Sequence, residues 1–345
     1  MAYTTIDNPF KYFNTVLYSG TGSSQAITGV GFQPDWIWFK CRSQNQNHNL
    51  FDVIRGSNKI IQTSTSNAEA TSTALLTSFD SDGFTVNTDG GVNGSSQTYA
   101  SWNWLAGGSG SSNSNGSITS TVSANTTAGF SIVSYTGTGS NATVGHGLGV
   151  APKVLILKSR TRSDGQWTVG SDMLGWTKFL YLDANSAAQT FNIYQDTAPT
   201  SSVFSLSSDG GVNQSSGSMI GYAFAEKKGY SKFGSYTGNG ETAGPFVYTG
   251  FKPAFVIIKY SNATESWYIY DNKRQSYNAQ GARLRADDSE AEASSANFDF
   301  LSNGIKIRTS GSAANTSGGS YIYLAFAENP FVGNDSGTAV PVVAR

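Results

Sequence analysis

A pattern that occurs three times along the chain constrains its fold more than any other feature of the sequence. A tyrosine followed by two spaced glycines begins each copy, at Tyr18, Tyr135 and Tyr236. A second marker follows it each time: a glycine, a proline three residues later, an apolar run and a lysine. The lysines that end this marker are Lys40, Lys158 and Lys259. Because recurrence at one spacing is the signature of repeated structural units, the chain is predicted to contain three copies of one module.

Two further markers complete each copy. A turn dipeptide that supplies the positive φ of a tight turn precedes an alternating strand. The three dipeptides are Asp82-Gly83, Asp209-Gly210 and Asn303-Gly304. Each copy closes on an apolar strand, which ends in Ala-Phe-Ala-Glu at Glu226 and Glu328 and in tryptophans at Trp102 and Trp104.

These markers predict the limits of the domains. The modules are expected at residues 1–107, 129–229 and 230–332. The segment 108–128 is almost wholly Gly, Ser, Asn and Thr, a composition typical of a flexible linker, so we expect no regular structure there and preferred cleavage by proteases. The tail at 333–345 is expected either to lie free or to add a strand to a neighbour.

Within a module the apolar residues alternate with a period of two, as at Phe84 and Val86. Such alternation is typical of a strand with one wet face. Three runs are apolar on both faces and are therefore predicted to be buried central strands. They are Trp36 to Phe39, Val154 to Leu157 and Phe255 to Ile258. Short strands with frequent turn signals predict an all-β fold of three tandem antiparallel β-sandwich modules.

Composition excludes several classes of function. The 22 basic and 23 acidic residues nearly cancel, so no net field favours nucleic acid or an anionic membrane. Cys41 is the only cysteine, which rules out an intrachain disulfide and a cysteine metal cluster within one chain. The first twenty residues lack a signal-peptide pattern and no apolar run approaches the roughly 18 residues of a membrane span. We expect a chain made in the cytoplasm without membrane insertion.

The quoted markers resemble repeat modules of tail-fibre and other virion proteins of marine bacteriophages such as cyanophages and pelagiphages. The resemblance rests on the Tyr-x-Gly-x-Gly start, on the run from Gly250 to Lys259 and on the Ala-Phe-Ala-Glu-Asn-Pro-Phe end at Ala325 to Phe331. It implies jelly-roll or concanavalin-like sandwiches that adhere to or decorate the particle and have no catalytic residues. The expected location is the virion.

Candidates for chemistry are weighed against structural roles. His48 and His146, the only histidines, are expected in a polar loop and a turn. The acidic cluster of Asp287, Asp288, Glu290 and Glu292 is read as a solvated turn, with Ca²⁺ ligation and a glycosidase pair as weaker alternatives. No catalytic residue, metal or cofactor is therefore assigned.

Two pairs of repeated residues remain as candidate binding residues. Asp52 with Arg55 recurs as Asp271 with Arg274, whereas Gly170 and Met173 replace the pair in the middle copy. Either a salt bridge between loop and sheet or a repeated ligand or subunit contact explains it. Trp167 and Trp267 also correspond, and they either fill the core or stack on a sugar. The repeated lysines are expected to mark the exit of a strand to water.

The sequence therefore predicts a non-enzymatic bacteriophage virion protein, a tail-fibre-like adhesin that binds a host surface glycan or protein. The alternative is a capsid decoration or other architectural protein, and a polysaccharide depolymerase is disfavoured. The expected partners are other virion proteins, a host cell-surface receptor and further copies of this chain. A homo-oligomer, and by analogy with phage fibres a trimer, is expected because lone sandwiches expose strand edges and because several weak sites together give avidity.

Overall fold

The structure is a computed structural model that describes residues 3–331; the predicted tail at 333–345 lies outside the described residues. Strands make up 44% of it and helices 3%, in antiparallel sheets. The predicted all-β, sandwich-like fold class is confirmed. None of the helices in residues 3–331 has the length and hydropathy of a membrane-spanning helix.

Module 1, the strands between residues 13 and 104, has a large sheet in the order β1-β9-β3-β4-β5-β6 and a small sheet in the order β2-β8-β7. A 3₁₀ helix at Pro9–Lys11 precedes it. Its elements are β1 (Phe13–Ser19), β2 (Gln25–Thr28), β3 (Trp36–Cys41), β4 (Asn49–Asp52), β5 (Lys59–Gln62), β6 (Ala70–Thr71), β7 (Leu76–Asp80), β8 (Gly83–Val86), α1 (Gly90–Asn93) and β9 (Thr98–Trp104).

Module 2, the strands between residues 111 and 224, has a large sheet in the order β10-β11-β12-β19-β14-β15-β16-β17 and a small sheet of β13 and β18. Its elements are β10 (Ser111–Asn113), β11 (Ser120–Asn125), β12 (Phe130–Thr136), β13 (Ala142–Gly145), β14 (Val154–Ser159), β15 (Thr168–Ser171), β16 (Lys178–Tyr181), β17 (Gln189–Thr190), β18 (Val203–Leu206), α2 (Gly210–Asn213) and β19 (Ser218–Phe224).

Module 3, the strands between residues 231 and 330, is one continuous sheet in the order β20-β27-β22-β23-β24-β25-β26-β21. Strand β25 pairs with β24 and then with β26, so the sheet folds over on itself. Its elements are β20 (Ser231–Thr237), β21 (Phe246–Tyr248), β22 (Phe251–Tyr260), β23 (Trp267–Asp271), β24 (Gln280–Arg285), β25 (Ala293–Leu301), β26 (Gly304–Ile307) and β27 (Ser320–Pro330).

The three runs that are apolar on both faces occupy the same place in each large sheet. They form β3, β14 and the second half of β22, each between a long closing strand and a short strand. Every residue of β3 and β14 is buried. The prediction of buried central strands in equivalent positions is confirmed.

The two faces of each central strand are buried against different partners. Ile37 and Phe39 point into the interior of module 1's own sandwich, whereas Trp36 and Trp38 point into a core shared by all three modules. The same alternation holds in the other two strands. Their side chains in the shared core are Val154, Ile156, Phe255 and Ile257, and those inside their own sandwiches are Leu155, Leu157, Val256 and Ile258.

Aromatic rings from different modules meet in this shared core. Trp36 stacks on Tyr222 with 4.5 Å between ring centroids, and Phe13 stacks on Phe326 at 5.3 Å. Phe224 and Phe326 join modules 2 and 3 at 6.0 Å. Burial of this aromatic surface is worth more than its area alone, since ring pairs add roughly 0.5–1.5 kcal/mol each. The large sheets of the three modules therefore cover one another.

The segment 108–128 contradicts the expectation of a flexible linker. Strands β10 and β11 lie within it and extend the large sheet of module 2 by pairing with each other and with β12. Ile118, Val122 and Ser123 of this segment are buried. Backbone hydrogen bonds need no particular side chain, so a Gly- and Ser-rich sequence can pair as a strand once a neighbouring edge is present. Preferred cleavage within this segment is no longer expected.

The Tyr-x-Gly-x-Gly marker has a structural cause. The Tyr18 hydroxyl donates to the carbonyl of Val92 at 2.7 Å. A side chain on Gly20 would place its Cβ 2.2 Å from the Gly94 carbonyl oxygen, and Gly22 has φ of 72°. Only glycine fits both positions. The equivalent groups of the other modules are Tyr135 with Gly137 and Gly139, and Tyr236 with Gly238 and Gly240.

One of the four sequence markers was placed in the wrong register. Asp82-Gly83 and Asn303-Gly304 form hairpin turns that lead into β8 and β26. Asp209 instead caps α2 by accepting from the Gly211 amide at 2.7 Å. Its counterpart in module 1 is Asp89, which accepts from the Gly91 amide at 2.7 Å.

The shared core predicts that the three modules unfold together. Replacing Trp36 by Ala removes a buried side chain that contacts modules 1 and 2, and we expect the free energy of unfolding to fall by about 3–5 kcal/mol. Denaturant titration followed by both fluorescence and circular dichroism should still show one transition. The exposed Val150→Ala variant is the control. Separate transitions that differ between the probes would contradict a common core.

Candidate functional site

The predicted pair of Asp52 and Arg55 is a fully buried ion pair at the end of β4. Arg55 Nε lies 2.6 Å from Asp52 Oδ2, and neither side chain is exposed. The same carboxylate accepts from the Arg55 amide through Oδ1 at 2.9 Å. Asp271 and Arg274 repeat this geometry at the end of β23, with 2.5 Å between Arg274 Nε and Asp271 Oδ2. The salt bridge between loop and sheet is thus present in both modules.

Each of these aspartates also accepts a hydrogen bond from a neighbouring module. The Tyr222 hydroxyl of module 2 donates to Asp52 Oδ2 at 2.8 Å. The Trp102 indole of module 1 donates to Asp271 Oδ2 at 3.0 Å. Tyr222 and Trp102 hold equivalent places in their sheets. Tyr222 pairs with Ile156 of β14, and Trp102 pairs with Trp38, which has the same position in β3. The carboxylates therefore join modules as well as loops.

A glutamate extends each pair toward the surface of the interface. Glu69 accepts two hydrogen bonds from Arg160 of module 2, both at 2.8 Å, and lies 3.4 Å from Arg55 Nη1. Glu292 likewise accepts from Arg42 of module 1 at 3.0 and 2.8 Å and lies 3.0 Å from Arg274. Paired, planar contacts of this kind are the strong class of ion pair.

Burial alone would lower the pKa of both buried arginines. The negative charges of Asp52 and Glu69 more than offset it for Arg55, and those of Asp271 and Glu292 do so for Arg274, so the pKa of each is raised. Both guanidinium groups therefore stay charged in the folded protein. Their remaining donors reach backbone carbonyls, at Leu50 and Ile269 respectively.

The third interface, between modules 3 and 2, has lost the whole network. Ser171 pairs with Val154 as Asp52 pairs with Trp36 and Asp271 with Phe255, so it holds the place of the aspartates. The spacing of the repeats predicts Gly170 and Met173 at these places, which is one residue too early. The replacements in this interface are Ser171 for the aspartates, Leu174 for the buried arginines, Leu324 for the aromatic donors, Ala188 for the glutamates and Ser261 for the outer arginines.

Trp167 and Trp267 lie in the core, so a sugar cannot stack on them in this structure. Both rings are buried, with 0% and 1% exposure. The Trp167 indole donates to the carbonyl of Gln62 in module 1, and the Trp267 indole donates to that of Tyr181 in module 2, each at 2.8 Å. The interpretation as sugar-binding residues is thus replaced by a role in joining modules.

His48 stands at the same position in module 1, and this correspondence was missed in the sequence. It is buried, not solvated. Its Nδ1 accepts a hydrogen bond from the Trp38 indole at 2.7 Å. Its Nε2 has no well-formed hydrogen bond within residues 3–331, although a contact with the backbone of Arg285 in module 3 favours the protonated ring. Burial lowers the pKa of His48 well below its usual value, so the ring is neutral.

The repeated lysines do not leave their strands for water, as had been expected. All three are buried, and each Nζ donates to a backbone carbonyl of the neighbouring module. The contacts are Lys158 to Ser66 at 2.8 Å, Lys259 to Asn185 at 3.3 Å and Lys40 to Ser289 at 2.9 Å. They run from module 2 to 1, from 3 to 2 and from 1 to 3. Three equivalent contacts in this cyclic order close the modules into a pseudo-threefold ring.

The remaining candidates also have structural partners. His146 is buried, and its Nε2 lies 3.2 Å from the Thr200 carbonyl. In the acidic cluster, Asp287 accepts from the Trp267 amide at 2.9 Å, and Asp288 and Glu290 pair with Arg285 at 2.8 and 3.0 Å. These contacts of the three carboxylates thus stabilise the loop that carries Glu292.

An open polar cavity of about 240 Å³ lies in module 2, between the loop after β14, the strands β15 and β16, and the start of α2. We call it the module-2 cavity. Its lining includes Arg162, Asp164, Gln166, Thr168, Tyr181 and Asp209. Burial raises the pKa of Tyr181, and the charges of Asp209 and Asp183 raise it further, so its hydroxyl remains protonated near neutral pH.

With this geometry in place, the chain can be compared with known proteins. A family model described as a domain of unknown function (DUF7483) matches residues 8–330. The chain belongs to this DUF7483 family. The match treats the three modules and the segment 108–128 as one unit. No curated protein and no solved structure matches the chain.

Several residues that position the interfaces of this DUF7483 member were missed in the sequence. Glu69 and Arg160 belong to different modules, and nothing near either residue signals the pairing.

Asn93, which stabilises the glycine turn of module 1, was also missed in the sequence. Its Oδ1 accepts a hydrogen bond from the Thr21 amide at 2.9 Å. A Gly-Gly-Val-Asn match that recurs at 90–93 and 210–213 was the available signal for Asn93 and its counterpart Asn213.

The third interface provides a template for a test of the buried ion pair. Asp52→Ser alone leaves the Arg55 charge without its main partner, and we expect it to lower the free energy of unfolding by about 3–5 kcal/mol. The double variant Asp52→Ser with Arg55→Leu copies Ser171 and Leu174, and we expect it to recover at least about 1 kcal/mol of that loss. Guanidinium denaturation measures both. A double variant less stable than the single one would contradict this account.

The buried lysines predict an unusual titration. Burial lowers the pKa of Lys40, Lys158 and Lys259 from 10.5 to about 8. Nuclear magnetic resonance of ¹³Cε-labelled lysine should show three such signals, and Lys158→Met should remove one. The penalty for burying these charges is fully present below pH 8 and is relieved as pH rises from 8 toward 10.5, so these groups make the free energy of unfolding increase in that window. Lysine signals that all titrate near the ordinary value of roughly 10.4 would contradict it.

Proposed function

We propose that this chain is a bacteriophage virion structural protein that acts as a tail-fibre-like adhesin toward a host surface glycan or protein. The proposal takes its direction from the resemblance of the repeat markers to virion modules. The observation that carries it is the closed ring in which every module donates its buried lysine to the next.

A closed ring suits a particle surface because it keeps three sandwiches in one rigid body. The large sheets face the shared core rather than the solvent, which limits exposed sheet surface available for aggregation. The loops after β3, β14 and β22 contact the neighbouring module near Glu292, Glu69 and Ala188 respectively, so all three are held at corresponding places on the ring. A receptor would therefore meet a preorganised surface.

The chain's buried charges serve this rigidity and not a reaction. Asp52, Arg55, Asp271 and Arg274 are enclosed between modules, where a host molecule cannot reach them. Polar groups that a partner can reach line the module-2 cavity. These observations favour binding over turnover, so we propose that the chain is not an enzyme.

Assembly with further copies stays a prediction. It is expected because lone sandwiches expose strand edges, and the shared core covers the faces of the large sheets rather than their edges. A homo-oligomer, a trimer included, would have to use the outer surfaces of the ring. Mass measurement of the purified protein determines the stoichiometry.

The test of the proposed function uses particles of the phage that encodes this chain. We expect mass spectrometry to detect the protein in purified virions and cryo-electron microscopy to locate it on the tail. We also expect the purified protein, at micromolar concentration, to slow adsorption of the phage to host cells by competing for the receptor. An unrelated protein at the same concentration is the control.

The outcomes separate the alternatives. A location on the capsid with no effect on adsorption would favour the decoration protein. Absence from purified virions would refute the proposal as a whole. Release of reducing ends from host polysaccharide, abolished by Asp287→Asn or Glu290→Gln, would show a depolymerase instead.

A further inference from the structure

We infer that the module-2 cavity is a binding site for one neutral sugar residue of a larger glycan. The inference rests on the proposed function, since it names a ligand class for a glycan-binding particle protein. It is carried by the free polar groups of the cavity and by a comparison of this cavity with the same place in modules 1 and 3.

Several polar groups of the cavity have no partner within the described residues. The Thr168 hydroxyl, the Gln166 amide and the Tyr181 hydroxyl line the cavity and make no side-chain hydrogen bond in residues 3–331. Arg162 binds Asp164 through Nε and Nη2 at 3.0 and 2.8 Å, which leaves its Nη1 free beside Gly210. Asp209 engages only Oδ1, with the Gly211 amide. Donors and acceptors are therefore both available.

In module 1 a side chain fills the equivalent place. Asn49 has the register of Thr168, because Asn49 pairs with Phe39 as Thr168 pairs with Leu157. Its Nδ2 donates across the gap to the Gly91 carbonyl at 3.1 Å. A Gln62 amide braces it by donating to Asn49 Oδ1 at 2.9 Å.

Module 3 fills the place in a different way. Tyr268, which pairs with Ile258 and so also has the register of Thr168, donates its hydroxyl to Glu265 at 2.6 Å. Ser312 closes the far side by donating to the same carboxylate at 2.5 Å. Thr168 is too short for either bridge. Module 2 is therefore the one of the three in which this gap between strand and turn stays open.

The chemistry of the lining favours a neutral, polyhydroxylated ligand. An anion would meet the carboxylates of Asp164 and Asp209, and a cation would meet the Arg162 guanidinium. Adjacent hydroxyls of a pyranose both donate and accept, so they match a mixed wall of carboxylate, guanidinium, amide and hydroxyl groups. Tyr181 and Ile193 supply the apolar side. The volume of about 240 Å³ lies below the roughly 300–1,000 Å³ of drug-sized sites, so it admits one sugar residue rather than an oligosaccharide.

The experiment titrates the full-length protein with the methyl pyranosides of glucose, galactose, mannose and N-acetylglucosamine, followed by saturation-transfer-difference nuclear magnetic resonance. Separate arms use inorganic phosphate and calcium chloride. We expect at least one pyranoside to bind with a dissociation constant on the order of 1 mM. Tyr181→Phe removes a hydroxyl that has no hydrogen-bond partner among residues 3–331, and it should weaken binding by about fivefold or more without changing the thermal transition.

Two further variants make the test specific to the cavity. Thr168→Tyr copies Tyr268 and should fill the gap, so that binding is no longer detected. Ser112→Ala changes an exposed side chain on β10 and should leave binding as in the wild type. If Thr168→Tyr fails to fold, Tyr181→Phe and Gln166→Ala decide the result.

Three results would overturn the inference. They are binding by none of the pyranosides, pyranoside binding that Tyr181→Phe and the folded cavity variants leave unchanged, and saturable binding of phosphate or calcium in place of sugar. Failure of the proposed function has a different signature: a protein absent from virions that still binds a pyranoside through Tyr181 would keep the site. A protein that blocks adsorption equally well as wild type and as Tyr181→Phe would keep the proposed function and remove this site from it.

Discussion

The central strand of each module has apolar side chains on both faces, and the rest of the structure depends on covering the second face. One face closes against the small sheet of the same module, or in module 3 against the folded-over strands β21, β25 and β26, as an antiparallel sandwich requires. The other face, which carries Trp36 and Trp38 in module 1, would otherwise be exposed as a large aromatic surface. Three modules in one chain solve this by turning those faces toward one another. The ring is thus a consequence of hydrophobic burial.

Once the large sheets meet, the polar groups beside them lose water and need partners. Buried ammonium, carboxylate and indole groups are costly unless hydrogen-bonded. Lys40, Lys158 and Lys259 therefore bind carbonyls of the next module. Because such bonds form only in one relative orientation, they define how the modules dock, whereas apolar packing alone tolerates several arrangements.

The three interfaces show two solutions to the same packing problem. Two of them enclose a network of aspartate, two arginines, glutamate and an aromatic donor, and the third has a serine, an alanine or a leucine at each of these places. A buried ion pair and a well-packed apolar set of similar size can be close in stability. The positions change together because removal of a single partner, such as Asp52 opposite Arg55, would leave a buried charge unpaired.

Much of the fold could be predicted from the sequence, because short-range periodicity reports the strand directly. The buried central strands and the recurrence of the Tyr-x-Gly-x-Gly marker at Tyr18, Tyr135 and Tyr236 are examples. The strands β10 and β11 could not, since they pair through the backbone and their Gly- and Ser-rich composition is equally typical of coil. The register of Asp209 was misjudged because module 1 offers two similar Asp-Gly pairs, at Asp82 and Asp89, and local chemistry does not distinguish a hairpin turn from a helix cap.

The candidate site shows where sequence information ends. The sequence by itself determined that the pair of Asp52 and Arg55 recurs in a second module, that Trp167 and Trp267 correspond and that β-strands repeat, because these facts follow from spacing along the chain. Only the tertiary structure decided that both tryptophans are buried against a neighbouring module and that His48 stands in their place. It also decided that a cavity opens beside Thr168, where Asn49 and Tyr268 bridge the same gap. The physical reason is that burial and open space depend on side chains from segments distant in sequence that meet only when the three sheets pack together.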